Sequence, residues 1–145
     1  MAATVLSFAN FKGGVGKTST TALVGYNLSN LGYKVLIIDF DAQANLTSLL
    51  LKTKSAVDDI ITIDKSLMGA INDQIPLPDI TIEIKKNLTL IPNAVDFSMY
   101  PRYLERNYDN ETDRVSFFKK LLEPLKSEYD FIFIDVPPTL SLLND

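Results

Sequence analysis

The chain has 145 residues, of which 46% are hydrophobic and 22% charged, enough apolar material for one globular core and not for two. Eighteen acidic against fourteen basic residues leave a net charge of -4, so this stretch has no electrostatic footprint for nucleic acid. The absence of cysteine and histidine excludes disulfides, thiolate-held metals and imidazole catalysis.

The start, Met1 to Phe8, lacks a basic n-region, its apolar stretch is interrupted by Asn10 and Lys12, and no apolar run approaches membrane-spanning length, so a soluble cytoplasmic protein is expected. Residues 4–9 are β-prone and run into a glycine-rich turn, after which residues 18–31 carry Ala22, Leu23, Tyr26 and Leu31 at helical spacing. Gly32 stands where a left-handed cap ends the helix. Val35 to Ile38 form a continuous apolar run closed by Asp39, which suits a strand buried on both faces. Helices are predicted near 45–51 and 66–73, a loop at Pro76–Pro78, and an extended segment at 88–91; residues 53–65 and 97–108 fit neither type clearly. From 111 to about 123, Val115, Phe118, Leu122 and Leu125 recur every three or four residues, predicting an amphipathic helix that Pro124 kinks or ends. Phe131 to Ile134 is another buried strand, ending at Asp135.

Strands alternating with helices predict an α/β fold, a doubly wound and mostly parallel sheet with helices on both faces and ligands beyond the carboxyl ends of the strands. Three polar clusters fall at such ends: Lys12–Thr18, Asp39–Asp41 and Asp135.

Lys12-Gly13-Gly14-Val15-Gly16-Lys17-Thr18 joins the first strand to the first helix. Glycines let backbone N–H groups converge on phosphate oxygens, and the helix N-terminus adds its positive dipole end. Lys17 places an ammonium for the β- and γ-phosphates and Thr18 a hydroxyl for magnesium, with Ser19 following at the cofactor. The alternative is a glycine turn flanked by two solvated lysines. The general P-loop pattern needs a glycine at position 11, where this chain has Phe11. What remains resembles the deviant Walker A motif of the ParA/MinD family of P-loop ATPases. That resemblance implies that Lys12 reaches across an ATP-sandwich dimer and stabilises transition-state charge, as an arginine finger does. By itself, a surface lysine beside a P-loop needs no such role.

Asp39-Phe40-Asp41 closes the second strand, so period-two geometry points both carboxylates to the same side at the strand end. Residues 39–47, Asp-Phe-Asp-Ala-Gln-Ala-Asn-Leu-Thr, resemble the ParA/Soj pattern Asp-x-Asp-Pro-Gln-x-Asn-x-Thr, with Ala42 where proline is usual. The resemblance implies that Asp39 supports magnesium through water and that Asp41 orients the attacking water. Gln43 and Asn45 serve equally well as turn and helix-capping residues. Phe-Ile-Phe-Ile-Asp135-Val-Pro-Pro resembles the family's Walker B segment, which implies a role for Asp135 at the magnesium shell.

The resemblance covers nearly the whole chain and is closest to plasmid or chromosome partition proteins. It implies an ATP- and magnesium-dependent switch, a homodimer of ATP-sandwich or swapped form, and a ParB-like adaptor. Residues 1–145 are then the N-terminal, nucleotide-binding part of a ParA-like AAA/CbiA-type domain, C-terminally incomplete, with DNA contacts only in the missing part. Two alternatives stay open: a nucleotide-binding or inert fragment without turnover, and a MinD-like positioning ATPase. The usual strand order would leave residues 4–9 as an exposed sheet edge, inviting self-association.

Overall fold

The computed structural model describes residues 3–9, 15–41, 43–55 and 65–136. The fold is α/β, built on five strands: β1 (Thr4–Ala9), β2 (Val35–Asp39), β3 (Ile82–Lys85), β4 (Leu88–Ile91) and β5 (Phe131–Val136). Their order is β1-β5-β2-β4-β3, parallel throughout except for the antiparallel β3–β4 pair. All five side chains of β2 are buried, as expected of an unbroken apolar run in a strand covered on both faces. Its neighbour β5 lies in register from Val35↔Phe131 to Asp39↔Asp135.

Alternation along these two strands divides the core. Leu36, Ile38, Ile132 and Ile134 pack on one face against α3 (Leu67–Asp73), α4 (Tyr100–Asn107) and α5 (Glu111–Leu122). Val35, Ile37 and Phe133 pack on the other face against Ala22 of α1 (Val15–Asn30) and Leu46 and Leu50 of α2 (Asn45–Ser55). The doubly wound arrangement with helices on both faces is therefore present. Among the described residues, no helix is long and apolar enough to cross a membrane.

Local chemistry sets the helix ends. The first helix stops at Asn30, and Gly32 takes the left-handed conformation with φ of 97°. Ser66 caps α3 by accepting a bond from the Gly69 N–H, and Gln74 closes it in the left-handed region. Asn110 caps α5 by accepting from the Asp113 N–H, acidic Glu111 and Asp113 sit in its first turn, and Lys119 and Lys120 in its last. That helix ends at Leu122, before Pro124, in a single 3-10 turn.

Two elements were not anticipated. Residues 82–85 form β3, paired to β4 through a turn in which Asn87 takes φ of 70°. Within 97–108, a 3-10 turn over Val95–Met99 leads into α4, with Pro101 in the first turn where its missing N–H costs nothing. At one end of the sheet, β1 pairs only with β5 among the described residues, and Thr4, Leu6 and Ser7 are exposed. This is the edge position expected for residues 4–9.

Candidate functional site

Parallel pairing brings the carboxyl ends of β1, β5, β2 and β4 to one end of the sheet. Two of the candidate residues, Asp39 and Asp135, meet there. Asp39 and Asp135 are register partners on adjacent strands, both buried, and the alternation of their strands sets them on the face covered by α1 and α2. The main chain ties the strands one residue further on, where the Phe40 N–H donates to the Asp135 carbonyl over 2.9 Å.

Burial pushes the Asp39 carboxyl up to about 6, and the negative charge of Asp135 adds to the rise, against the lowering effect of hydrogen bonds from Thr47 and Asp41. Those bonds define its surroundings. Oδ2 accepts from the Thr47 N–H over 2.9 Å and from the Thr47 hydroxyl over 2.7 Å, while Oδ1 accepts from the Asp41 N–H over 3.2 Å. Thr47 is the third residue of α2, so Asp39 satisfies an amide in that helix's first turn and lies at its positive dipole end.

Asp41 reaches the site differently from the period-two expectation. The strand ends at Asp39, and Asp41 belongs to a turn in which its Oδ1 accepts from the Gln43 N–H over 3.0 Å and its carbonyl from the Ala44 N–H over 2.9 Å. Ala44 has φ of 55°, the left-handed geometry that reverses the chain into Asn45, the first residue of α2. Gln43 thus serves as a turn residue. Asp41 is half-buried, and its Oδ2 has no bond among the described residues.

On the opposite face, Phe40 separates the two aspartates and anchors their turn in an aromatic cluster. Its ring centroid lies 4.5 Å from Phe97, 5.2 Å from Tyr100 and 4.8 Å from Phe118.

The helix that follows the glycine-rich turn starts at Val15, so Val15, Gly16 and Lys17 form its first turn, with Thr18 half-buried and Ser19 exposed behind them. Lys12, Gly13 and Gly14 lie outside the described residues, as do Phe11 and Ala42. One buried residue was missed from sequence. Asn93, directly after Pro92 at the carboxyl end of β4, donates from Nδ2 to the Asp41 carbonyl over 3.3 Å and from its N–H to the Thr47 hydroxyl oxygen over 3.0 Å. Its position beside the same sheet end was the one signal available.

Among the described residues, no group of three or more acidic side chains forms a self-sufficient cation cage. Two buried carboxylates in register, with a threonine-bearing helix on the same face, instead fit magnesium, which retains waters and binds through one or two carboxylates together with phosphate oxygens.

A family model for the AAA domain (AAA_31) matches residues 3–145. The chain is 35% identical over 139 residues to the chromosome-partitioning ATPase Soj of Treponema pallidum, covering 96% of this chain and 50% of that protein. It superposes with a TM-score of 0.78 and 27% identity on a Borrelia burgdorferi protein named for plasmid partition and bound to AMPPNP, covering 98% of this chain and 56% of that one. Cobyrinic acid a,c-diamide synthase of Mycobacterium smegmatis, with a bound ATP analogue and magnesium, gives a TM-score of 0.79 at 29% identity over 98% of this chain and 54% of that one. The chain spans about half the length of the curated relatives it matches first.

Proposed function

The chain belongs to the AAA domain family AAA_31, and from that premise we propose that residues 1–145 are the nucleotide-binding part of a ParA-type ATPase switch. The switch binds ATP with magnesium and, in its dimeric form, positions DNA or another cargo. The observation that carries the reading is the alignment of Asp39 with Asp135 at the strand ends, with Asp41 tied to Asp39 and the helix of Lys17 and Thr18 on the same face. Similar structures include a partition protein and a synthase whose common ground is a bound ATP analogue, and the synthase holds magnesium with it. The partition role draws on the identity to Soj.

Magnesium bound with ATP would supply neutralising charge at the phosphates. The protein's own groups divide the remaining work. Backbone amides of residues 13–18 bind phosphate oxygens, Lys17 compensates their charge, and Thr18, Asp39 and Asp135 hold the cation with its waters. Asp41 accepts a hydrogen bond from the attacking water and so orients it. Lys12 stabilises phosphate charge from the partner subunit of a sandwich dimer. A ParB-like adaptor is the stimulating partner.

ATP binding and turnover by the chain and two variants test this. Lys17→Ala should weaken ATP binding by about 1.5–3 kcal/mol, because a charge-assisted donor is lost. Asp41→Ala should retain binding and lose about 100-fold or more in turnover. Unchanged affinity in the first variant would remove the phosphate-loop assignment, and normal turnover in the second would remove the water-orienting role. Binding without turnover by the unaltered chain would favour a nucleotide-binding fragment.

A further inference from the structure

Between the two aspartates and the end of β4 runs a buried polar network that the phosphate-binding motifs do not account for. Thr47 and Asn93 are almost completely buried, so each polar atom they carry needs a protein partner. The hydroxyl of Thr47 has one proton, given to Asp39 Oδ2 over 2.7 Å, and its oxygen takes the Asn93 N–H over 3.0 Å. The side chain of Asn93 is fixed at both ends. Its Oδ1 accepts from the Ala94 N–H over 2.9 Å, which turns Nδ2 toward the Asp41 carbonyl at 3.3 Å.

These bonds join two segments far apart in sequence, residues 39–47 and residues 93–94. Asn93 is 46 residues from Thr47 and 52 from Asp41. Its own segment is held in turn, because the Pro92 carbonyl accepts from Leu67 N–H at the start of α3. The turn at Asp41 contains a left-handed alanine, Ala44, a conformation that a non-glycine residue holds only when its surroundings impose it. Local bonds from Gln43 and Ala44 close that turn, and Asn93 supplies a contact from a different segment that docks its main chain beside the end of β4.

We propose that Asn93 is a positioning residue: through Nδ2 on the Asp41 carbonyl and its N–H on Thr47, it holds the turn that carries Asp41 in place beside Asp39. The consequence for turnover rests on the water-orienting reading of Asp41, whereas the positioning itself does not. A carboxylate that orients the attacking water, displaced by about 1 Å, loses rate without losing substrate affinity. Asn93 therefore acts on kcat and not on KM.

The test measures amide hydrogen exchange at residues 41–47 in the nucleotide-free chain, then steady-state ATP turnover. Asn93→Ala leaves the main-chain bond to Thr47 and removes the support of Asp41 together with the local bond from the Ala94 N–H. It should speed exchange at Gln43 and Ala44 by about tenfold or more while β2 and β5 exchange as before. Thr47→Val, which removes both hydroxyl bonds, should loosen the same segment, and Thr47→Ser should restore it. In turnover, Asn93→Ala should lower kcat by about tenfold or more with KM for ATP within about threefold.

Unaltered exchange at 41–47 in both Asn93→Ala and Thr47→Val would overturn the proposal, as would acceleration spread equally over β2 and β5, which reads as general destabilisation. A fall in kcat without a local exchange change would also overturn it. Should Asp41→Ala turn over at the unaltered rate, the water-orienting reading fails instead, and the exchange result alone decides the role of Asn93.

Discussion

At the residue scale, the carboxyl of Asp39 carries the largest electrostatic tension described at the site. Burial raises it to about 6 from an ordinary value of 3.8, with Asp135 contributing in the same direction. The folded state therefore favours the protonated form. Its stabilising contribution is complete below about pH 4 and disappears as pH rises through about 6. Without magnesium, the stability of the unaltered protein relative to Asp39→Asn should thus fall on the order of 3 kcal/mol from about pH 4 to about pH 7. Denaturant unfolding of both at each pH checks this, and a relative stability that rises with pH would contradict it. A divalent cation at the paired aspartates reverses the effect by favouring the charged form.

Asp39 and Asp135 were legible because each ends an unbroken apolar run, and such a run reads directly as a buried strand with its polar residue at the end. The placement of Asp41 was legible only in outcome: it does lie beside Asp39, but through a turn closed by Gln43 and Ala44 and not through strand geometry. Asn93 was hidden because its partners are 46 and 52 residues away, and no local periodicity encodes a contact of that range.

At the element scale, the first helix crosses the sheet closely enough to leave no space at Gly25. A Cβ there would lie 2.8 Å from Cδ1 of Ile37, itself fully buried in β2. Alanine would gain about 0.5–1 kcal/mol of helix propensity, which offsets part of the crowding. Valine adds two further methyl groups and is stiff in a helix, so overpacking wins. Gly25→Val should destabilise the chain by about 2 kcal/mol in urea unfolding, and a neutral outcome would show that α1 can shift away from β2 without cost. Helices with long periodic faces, such as α5 over Glu111–Leu122, were readable, and so was the left-handed Gly32. The strand β3 was not. Its four residues, Ile82 to Lys85, are too few for a periodicity signal and acquire their conformation by pairing with β4. Likewise α4 is short and begins with Tyr100 and Pro101; Tyr100 is fixed by stacking on Phe97 at 4.8 Å, a contact that exists only once the chain has folded.

At the scale of the whole molecule, the described sheet carries an unprotected edge. β1 contains no charge and no proline, has β5 as its only described neighbour, and leaves Leu6 44% exposed. Leu23 and Leu31, 63% and 74% exposed on and just beyond α1, add further exposed apolar surface. The chain should therefore self-associate with rising concentration in light scattering, and Leu6→Lys should reduce the effect. A monomer over the whole accessible range would contradict this. The α/β class and helix-covered sheet followed from alternating strands and helices, whereas the strand order β1-β5-β2-β4-β3 depends on crossovers that no single segment specifies.

The central claim is that this end of the sheet is a site for ATP with magnesium, and calorimetric titration of ATP into the chain with and without magnesium tests it most directly. The account predicts saturable binding that magnesium strengthens by about tenfold or more, a gain lost when Asp39 and Asp135 are both replaced by asparagine. Affinity indifferent to magnesium and to these carboxylates, or no binding at all, would contradict it.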